Sequence, residues 1–193
     1  MLLSARLCRF ILPAGLALLL GACQPASHAP ATVTTPMPTA AAPSRVDDFR
    51  QLRDALYHQR RAEVKTRFGL PLAMMDGNQL AAFCHGDAKG AAPATFDAAQ
   101  FDRCYGRLFP PPFIQLLLKV KSDVLFNKGY FDQAPLLVGE GKASLIATLE
   151  GDHLTLMYNT QSESKLSETE TSMMHHWQFE QGQLRYLGLQ LAD

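Results

Sequence analysis

The chain has 193 residues, 47% of them apolar, and its 18 basic and 18 acidic side chains give a formal net charge of zero. This length suffices for one domain with a single core. The charge balance argues against a nucleic-acid-binding domain, which is typically strongly basic. No heptad pattern and no repeat with a period of about 20 to 50 residues is apparent, which disfavours coiled coils and solenoids.

The first residues have the features of an export signal. Arg6 and Arg9 provide positive charge, no acidic residue precedes Asp47, and an apolar run extends from Phe10 to Leu20. A membrane-spanning helix needs roughly 20 consecutive apolar residues, so this run is too short to span a bilayer. It has the length that is typical of the apolar core of a signal peptide.

The signal ends in Leu20-Gly21-Ala22-Cys23, which resembles the lipobox of bacterial lipoproteins. The resemblance implies that cleavage removes residues 1–22 and that the Cys23 thiol and the new amino terminus are acylated. Gln24, where enterobacterial lipoproteins retained in the inner membrane have Asp, implies an anchor in the outer membrane on its periplasmic side. An ordinary secretory signal, in which Cys23 is incidental, is the alternative.

A low-complexity segment follows the lipobox. Residues 24–43 (QPASHAPATVTTPMPTAAAP) have no apolar periodicity, and their prolines favour an extended spacer. We therefore predict a lipidated cysteine with its tether over 23–45 and a single domain over 46–193. Without the two arginines of the signal, the mature chain has 16 basic and 18 acidic residues. We expect its partners to be the membrane, through the acyl chains, and a periplasmic protein, but no nucleic acid.

Cys84 and Cys104 are the two cysteines that remain once Cys8 leaves with the signal and Cys23 is lipidated. Outside the cytoplasm, an even pair of this kind favours a disulfide. The bond would close a loop of about 20 residues, which is worth on the order of 3 kcal/mol in the chain-entropy model. A redox or metal role is the alternative, although there is no C-x-x-C motif and only His85 adjoins the pair.

Helical periodicity dominates the first half of the domain. Ser44 and Asp47 resemble a capping box, and apolar residues that recur from Val46 predict a helix to about Val64. Residues 68–72 are predicted to form a short extended segment. The opposite side of the first helix is basic, which is typical of a solvated face or of a surface for an acidic partner. Its side chains are Arg50, Arg53, Arg60 and Arg61.

Two more helices are predicted after a loop of small residues over 84–93. Thr95 is expected to cap the second helix. Prolines 110–112 end it, and a third helix follows from Phe113, since proline is tolerated in a first turn. The shared apolar face of the second helix consists of Phe101, Cys104, Tyr105 and Leu108.

Beyond Gly139 the periodicity changes from 3.6 to 2. Alternating segments over 142–149 and 153–159, and again over 173–180 and 183–191, flank Gly-containing turns and predict two hairpins. Residues 160–172 (TQSESKLSETETS) between the hairpins are predicted to form a long polar loop. Its acidic residues Glu163, Glu168 and Glu170 are candidates for binding a basic protein partner; a disordered connection is the alternative.

This element order predicts an α+β domain in which N-terminal helices pack on a curved, cone-like antiparallel sheet of about four strands. The order, and the segment LFPPPFIQLLLKVKSDVLFNKGYF, resemble the nuclear-transport-factor-two-like (SnoaL-like) cone. That resemblance implies a pocket on the concave side of the sheet. A cystatin-like sheet or another small α+β fold is the alternative.

The sequence lacks an assembled catalytic or metal-binding motif, so no catalytic residue, metal or cofactor is predicted. The adjacent pair His175-His176 resembles a metal site, but neighbouring side chains of a strand point to opposite faces. We expect His175 on the face that carries Met173, Trp177 and Phe179. Candidates to line a cone pocket, or else to fill the core, are Tyr158, His175, Trp177 and Tyr186.

Three function classes are compatible with these observations. The first is a periplasmic binding module, because a tethered lipoprotein of this kind resembles the immunity proteins that neutralise secreted antibacterial toxins. The second is an envelope-assembly or secretion-apparatus component. The third is an enzyme or small-ligand carrier that uses the cone pocket. The first is our leading hypothesis.

Overall fold

A computed structural model describes residues 44–73, 79–85, 95–139, 141–163 and 168–192. The expected signal, Cys23 and nearly all of the tether lie outside these residues. No helix in the described part of the chain is long and apolar enough to cross a membrane. The helices are α1 (Arg45–Tyr57), α2 (Arg61–Thr66), α3 (Leu80–His85), α4 (Ala98–Leu108), α5 (Pro111–Lys119) and α6 (Ser122–Lys128). The strands are β1 (Leu72–Ala73), β2 (Thr95–Phe96), β3 (Tyr130–Val138), β4 (Gly141–Glu150), β5 (His153–Glu163), β6 (Glu168–Glu180) and β7 (Gln183–Ala192).

The first predicted helix is divided into two. Ser44 caps α1 as expected, because its side chain accepts the backbone N–H of Asp47. The helix ends at Tyr57, and Gln59 then adopts a positive φ of 52°, which is incompatible with a continuous right-handed helix. A new helix begins at Arg61, so the prediction of one helix to Val64 is wrong.

Two other helix boundaries differ from the prediction. The N-cap of α4 is Asp97, which exchanges hydrogen bonds with Gln100 in a complete capping box. Thr95 instead lies in the short strand β2, so its predicted capping role is wrong. Cys84 lies in α3 rather than at the start of a loop. The predicted third helix corresponds to α5, which begins at Pro111. Its prolines therefore lie in the first turn, as expected.

Strands β3 to β7 form an open antiparallel sheet in which every strand pairs with its neighbour in the chain. The α+β class is therefore confirmed, but the sheet has five strands rather than about four. The additional strand is β3, whose alternation is interrupted by Pro135 and by a shift of register between Gln133 and Leu136. Such irregularities are typical of edge strands, and they obscure the period of 2 in the sequence.

The prediction of a polar loop over 160–172 is wrong, because residues 160–163 and 168–172 belong to strands β5 and β6. Strand β5 continues to Glu163 and β6 begins at Glu168, with Asn159 opposite Ser172 in the register. The hairpin thus extends beyond the end of β7, which stops opposite Ser172 at Ala192. Because little core underlies this extension, its residues are polar on both faces and give no hydrophobic alternation.

One face of the sheet carries the core. The prediction that His175 and His176 lie on opposite faces is confirmed, since His175 is fully buried and His176 is only half-buried on the other face. The helices pack against the buried face. Its strand residues include Ala143, Leu145, Ala147, Leu154, Leu156, Tyr158, Met173, Trp177, Phe179, Leu184, Tyr186 and Leu189.

The β7 edge of the sheet is covered by hydrogen bonds from the helical layer. The backbone N–H of Leu184 donates to the Asp48 carboxylate at 2.7 Å, and that of Tyr186 donates to the Arg67 carbonyl at 2.8 Å. Gln79 donates its own N–H to the Leu189 carbonyl at 2.7 Å. These bonds occupy backbone groups that an edge strand otherwise presents to other chains.

Candidate functional site

The predicted Cys84–Cys104 disulfide is formed in the structure and joins α3 to α4. Cys104 lies on the buried face of α4 and is 1% exposed, as the helical spacing predicted. The bond fixes the positions of two neighbours in the chain. These are Phe83, which precedes Cys84, and Arg107, which lies one helical turn after Cys104.

Phe83 and Arg107 meet at the rim of an open groove. The guanidinium carbon of Arg107 lies 4.7 Å from the centroid of the Phe83 ring, which is cation–π geometry. The groove has a volume of about 320 Å3 and runs between the α3–α4 layer and the ends of β5, β6 and β7. Its lining combines apolar side chains with a polar rim, and consists of Phe83, Arg107, Pro110, Tyr158, Thr160, Thr171, Ser172, Met173 and Leu191.

The β5–β6 hairpin forms one wall of this groove. Hydroxyls of Thr160 and Thr171 are 2.8 Å apart across the hairpin, and Ser172 donates to Asn159 at 2.8 Å. These cross-strand bonds hold the two strands together where they leave the core. The hairpin therefore presents a defined wall at this end of the sheet.

The three predicted partner-binding acids lie at this same end of the sheet. Glu163 is opposite Glu168 in the register, and Glu170 is opposite Gln161. The side chain of Glu170 is exposed, whereas the side chains of Glu163 and Glu168 lie outside the described part. The register brings three acidic residues to one hairpin tip, where Glu170 lies on the face of the sheet opposite the groove, next to Lys142 and Gln161.

His175 and Tyr186, two of the predicted pocket residues, are core residues in the structure. The His175 Nδ1 is 3.2 Å from the Tyr186 hydroxyl, and the imidazole stacks on Phe109 with ring centroids 5.3 Å apart. Burial lowers the pKa of His175 to about 3, because the imidazolium would lose its hydration in the core. Burial also raises the pKa of the Tyr186 phenol well above its ordinary value. At neutral pH, both side chains are uncharged members of the core.

Trp177 and Tyr158 complete the predicted set. Trp177 is 1% exposed and packs edge-on against Tyr186 at 4.8 Å. Tyr158 is 7% exposed and lies at the boundary, because it packs on Phe113 and also lines the groove. The structure therefore brings Tyr158 to an open groove and places His175, Trp177 and Tyr186 in the core.

A second cleft, of about 410 Å3, lies between α1, α2 and β7. Asp48 and Arg67 line it, but their side chains pair with each other at 2.5 Å and are 3% and 13% exposed. Asp48 also accepts the Leu184 N–H, so its oxygens are engaged in holding elements together. We interpret this cleft as structural.

The basic side of the first two helices is not one free surface. The guanidinium of Arg53 donates to the Val120 carbonyl, and that of Arg60 pairs with Asp54 at 2.5 Å. Arg61 lies over the Tyr105 ring at 4.8 Å. These cations make contacts within the domain, which weakens the hypothesis of a basic docking face.

Sequence reasoning missed Phe83, Arg107 and Leu191 as groove residues. None belongs to a motif, and they come together only through tertiary structure. The one available signal was the cysteine pair, because residues next to a predicted disulfide are brought close together whatever the fold.

Among the described residues, no group of three or more His, Cys, Asp or Glu side chains is arranged to hold a metal ion. Comparison of the chain with protein-family models, with curated proteins and with solved structures gave no match.

Proposed function

We propose that this protein is a membrane-anchored binding lipoprotein of the periplasm, an immunity protein that captures and neutralises a secreted antibacterial toxin. The observation that carries the proposal is the groove beside the projecting β5–β6 hairpin. Its apolar lining and polar rim have the character of a protein-binding patch. An export signal, a lipobox and a long tether would position such a patch where an incoming toxin arrives.

The chemistry of the site indicates the kind of partner segment. Leu191 is 37% exposed in the groove, so an apolar side chain of the partner can displace water there. Arg107 contributes a guanidinium at the rim, a group that is enriched at binding hot spots. The acidic hairpin tip favours a partner that also carries basic residues, mainly by accelerating encounter.

A co-culture experiment tests the proposal. We expect deletion of the gene to sensitise cells to toxin-secreting siblings, and the wild-type gene to restore growth. The triple variant Glu163→Lys, Glu168→Lys, Glu170→Lys should fold but protect poorly. The matched control is Glu150→Lys with Glu180→Lys, which alters two acids at the opposite end of the same sheet and should protect fully.

A binding measurement separates the remaining hypotheses. The purified domain should bind the product of the adjacent toxin gene in a 1:1 complex, and Leu191→Glu with Arg107→Glu should weaken that complex. Lys119→Glu on α5, outside the groove, is the control for the charge change. If deletion never sensitises cells and no complex forms, the alternative of an envelope-assembly or secretion component replaces the immunity function.

A further inference from the structure

A third cleft, of about 250 Å3, opens on the helical side of the domain. It lies where the turn between α1 and α2 approaches the end of α4 and the start of α5, and it shares no described lining residue with the groove. Phe109, which is buried, and Ile114, which is half-buried, give it an apolar base. Its rim is polar and includes the exposed side chains of Gln59 and Gln115.

Arg61 is a cation of this cleft that has no acidic partner. Its guanidinium carbon lies 4.8 Å from the centroid of the Tyr105 ring, and a contact through the ring face does not use the N–H donors. No described residue forms an ion pair or hydrogen bond with its side chain, and no described acid lines the cleft. The acids Asp54 and Glu63 of the same two helices both pair with Arg60. The cleft therefore has one uncompensated positive charge.

Tyr105 brings a buried hydroxyl to the same cleft. The residue is 3% exposed, and its hydroxyl has no hydrogen-bond partner within the described part of the chain. Burial raises the pKa of this phenol, against the smaller opposing effect of Arg61, so the hydroxyl keeps its proton at neutral pH. Buried donors are rarely left unpaired in proteins. The hydroxyl thus favours an acceptor that the domain itself does not supply.

Gly106 keeps one wall of the cleft free of a side chain. It lies in the last turn of α4, and glycine is less favourable in a helix than alanine. It does not have a positive φ, and an added Cβ would meet nothing within 4 Å. Neither its backbone conformation nor packing against the described residues therefore requires glycine. A larger side chain would instead extend into the open space beside it.

We propose that this cleft binds a carboxylate next to an apolar side chain, as at the C-terminus of a peptide or in a small free acid. Arg61 supplies a planar fork of donors that matches a carboxylate, and Tyr105 donates a further hydrogen bond. The apolar side chain packs on the base of the cleft, and the rim amides of Gln59 and Gln115 can bond to the adjacent peptide group. Drug-sized ligands need about 300–1,000 Å3, so the cleft suits a single residue. The site is separate from the groove and does not depend on the immunity function.

An NMR titration of the full mature chain, carrying Cys23→Ser so that it stays soluble, tests the ligand chemistry. The probe N-acetyl-leucine should bind at millimolar concentration, as expected for about 12 non-hydrogen atoms, and shift the amide resonances of α4. N-acetyl-leucinamide lacks the charge and N-acetylglycine lacks the apolar side chain, so each should bind at least about tenfold more weakly.

A short peptide that ends in leucine distinguishes the two sources of the carboxylate. Tighter binding of this peptide than of N-acetyl-leucine would identify a peptide terminus as the ligand. Equal or weaker binding would identify a small free acid. The same peptide with an amidated C-terminus is the control, and it should bind at least about tenfold more weakly than the free acid form.

Variants of the cleft test the assigned roles. Arg61→Gln should weaken N-acetyl-leucine binding at least about tenfold, and Tyr105→Phe should weaken it about threefold to tenfold. Tyr105→Phe should also unfold at the same or a higher urea concentration, because it removes a buried donor that is unpaired in the free protein. Gly106→Leu should block the cleft and abolish binding. Arg103→Gln, an exposed position of α4 outside the cleft, is the matched control and should bind as wild type does.

The absence of a saturable shift, equal binding of N-acetyl-leucine and its amide, or wild-type affinity in Arg61→Gln, Tyr105→Phe or Gly106→Leu would overturn the proposed site. Circular dichroism checks that each variant is folded. Leu191→Glu alters the groove and should leave N-acetyl-leucine binding unchanged, whereas Arg61→Gln should still protect cells in co-culture. Failure of this site and failure of the immunity function are therefore distinguishable.

Discussion

Asp48 on α1 and Arg67 after α2 form a buried ion pair, with Nη1 and Oδ2 2.5 Å apart and side chains 13% exposed or less. The same Asp48 oxygen accepts the backbone N–H of Leu184 on β7 at 2.7 Å. One carboxylate therefore joins two helices and an edge strand that are distant in sequence. Its removal would leave both a cation and a backbone donor without their partner.

Asp48→Ala is expected to reduce the free energy of unfolding by about 3–5 kcal/mol, the usual cost of removing one partner of a buried pair. Asp48→Asn should cost less, because an amide oxygen can still accept the Leu184 N–H. Asp102→Ala is the matched control: it removes an exposed pair with Lys65, also at 2.5 Å, and should cost less than about 1 kcal/mol. Urea unfolding measures all three, and equal losses would contradict the assigned role.

His175 makes the stability of the domain depend on pH. Its folded pKa, about 3, lies below its ordinary value of 6.5, so between these values the unfolded state binds more protons. Stability is therefore complete above about pH 6.5 and falls as the pH drops, by at most about 1.4 kcal/mol per pH unit. Between pH 7 and pH 5 the expected loss is about 2 kcal/mol.

Denaturant unfolding of His175→Gln over the same pH range measures this contribution. The variant keeps a side chain that can bond to Tyr186 but does not titrate, so its profile should be flatter than that of wild type. His153→Gln replaces an exposed histidine and should leave the slope unchanged. Parallel profiles for wild type and His175→Gln would show that another group causes the pH dependence.

The features that the sequence predicted well have local causes. Ser44 caps a helix, Pro111 starts one, and Gly151 and Gly182 mark the turns of the two hairpins. The side-chain period of 2 along β6 was sufficient to assign His175 to the core face. Each of these features is determined by residues that are close together in the sequence.

The features that were missed depend on distant parts of the chain. Strand β3 is an edge strand that contains Pro135, so its apolar and polar residues do not alternate regularly. It is a strand because it pairs with β4, which is separate in the sequence pattern. The hairpin beyond Asn159 has little core beneath it and therefore no apolar pattern. The groove likewise depends on Phe83 and Arg107, which meet through the disulfide. No local rule predicts such contacts.

The disulfide is expected to stabilise the domain by about 3 kcal/mol, because it closes a loop of 20 residues. Intact-mass analysis of protein exported to the periplasm, under non-reducing conditions, should show the bond. The double variant Cys84→Ala, Cys104→Ala should unfold at a lower urea concentration than wild type. Its stability should be the same with and without reductant. Two free thiols in exported wild type would contradict the prediction.

Cys23→Ser is expected to abolish lipid attachment, because its thiol is the acceptor that the lipobox Leu20–Cys23 predicts. Cells labelled with palmitate should incorporate label into wild type and none into the variant, which should appear as precursor or as soluble protein. Cys8→Ser is the control, since that cysteine leaves with the signal and its loss should change nothing. Gln24→Asp should move the labelled protein towards the inner membrane in an enterobacterial host. Equal labelling of wild type and Cys23→Ser would show that Cys23 is incidental and that the domain is not anchored through it.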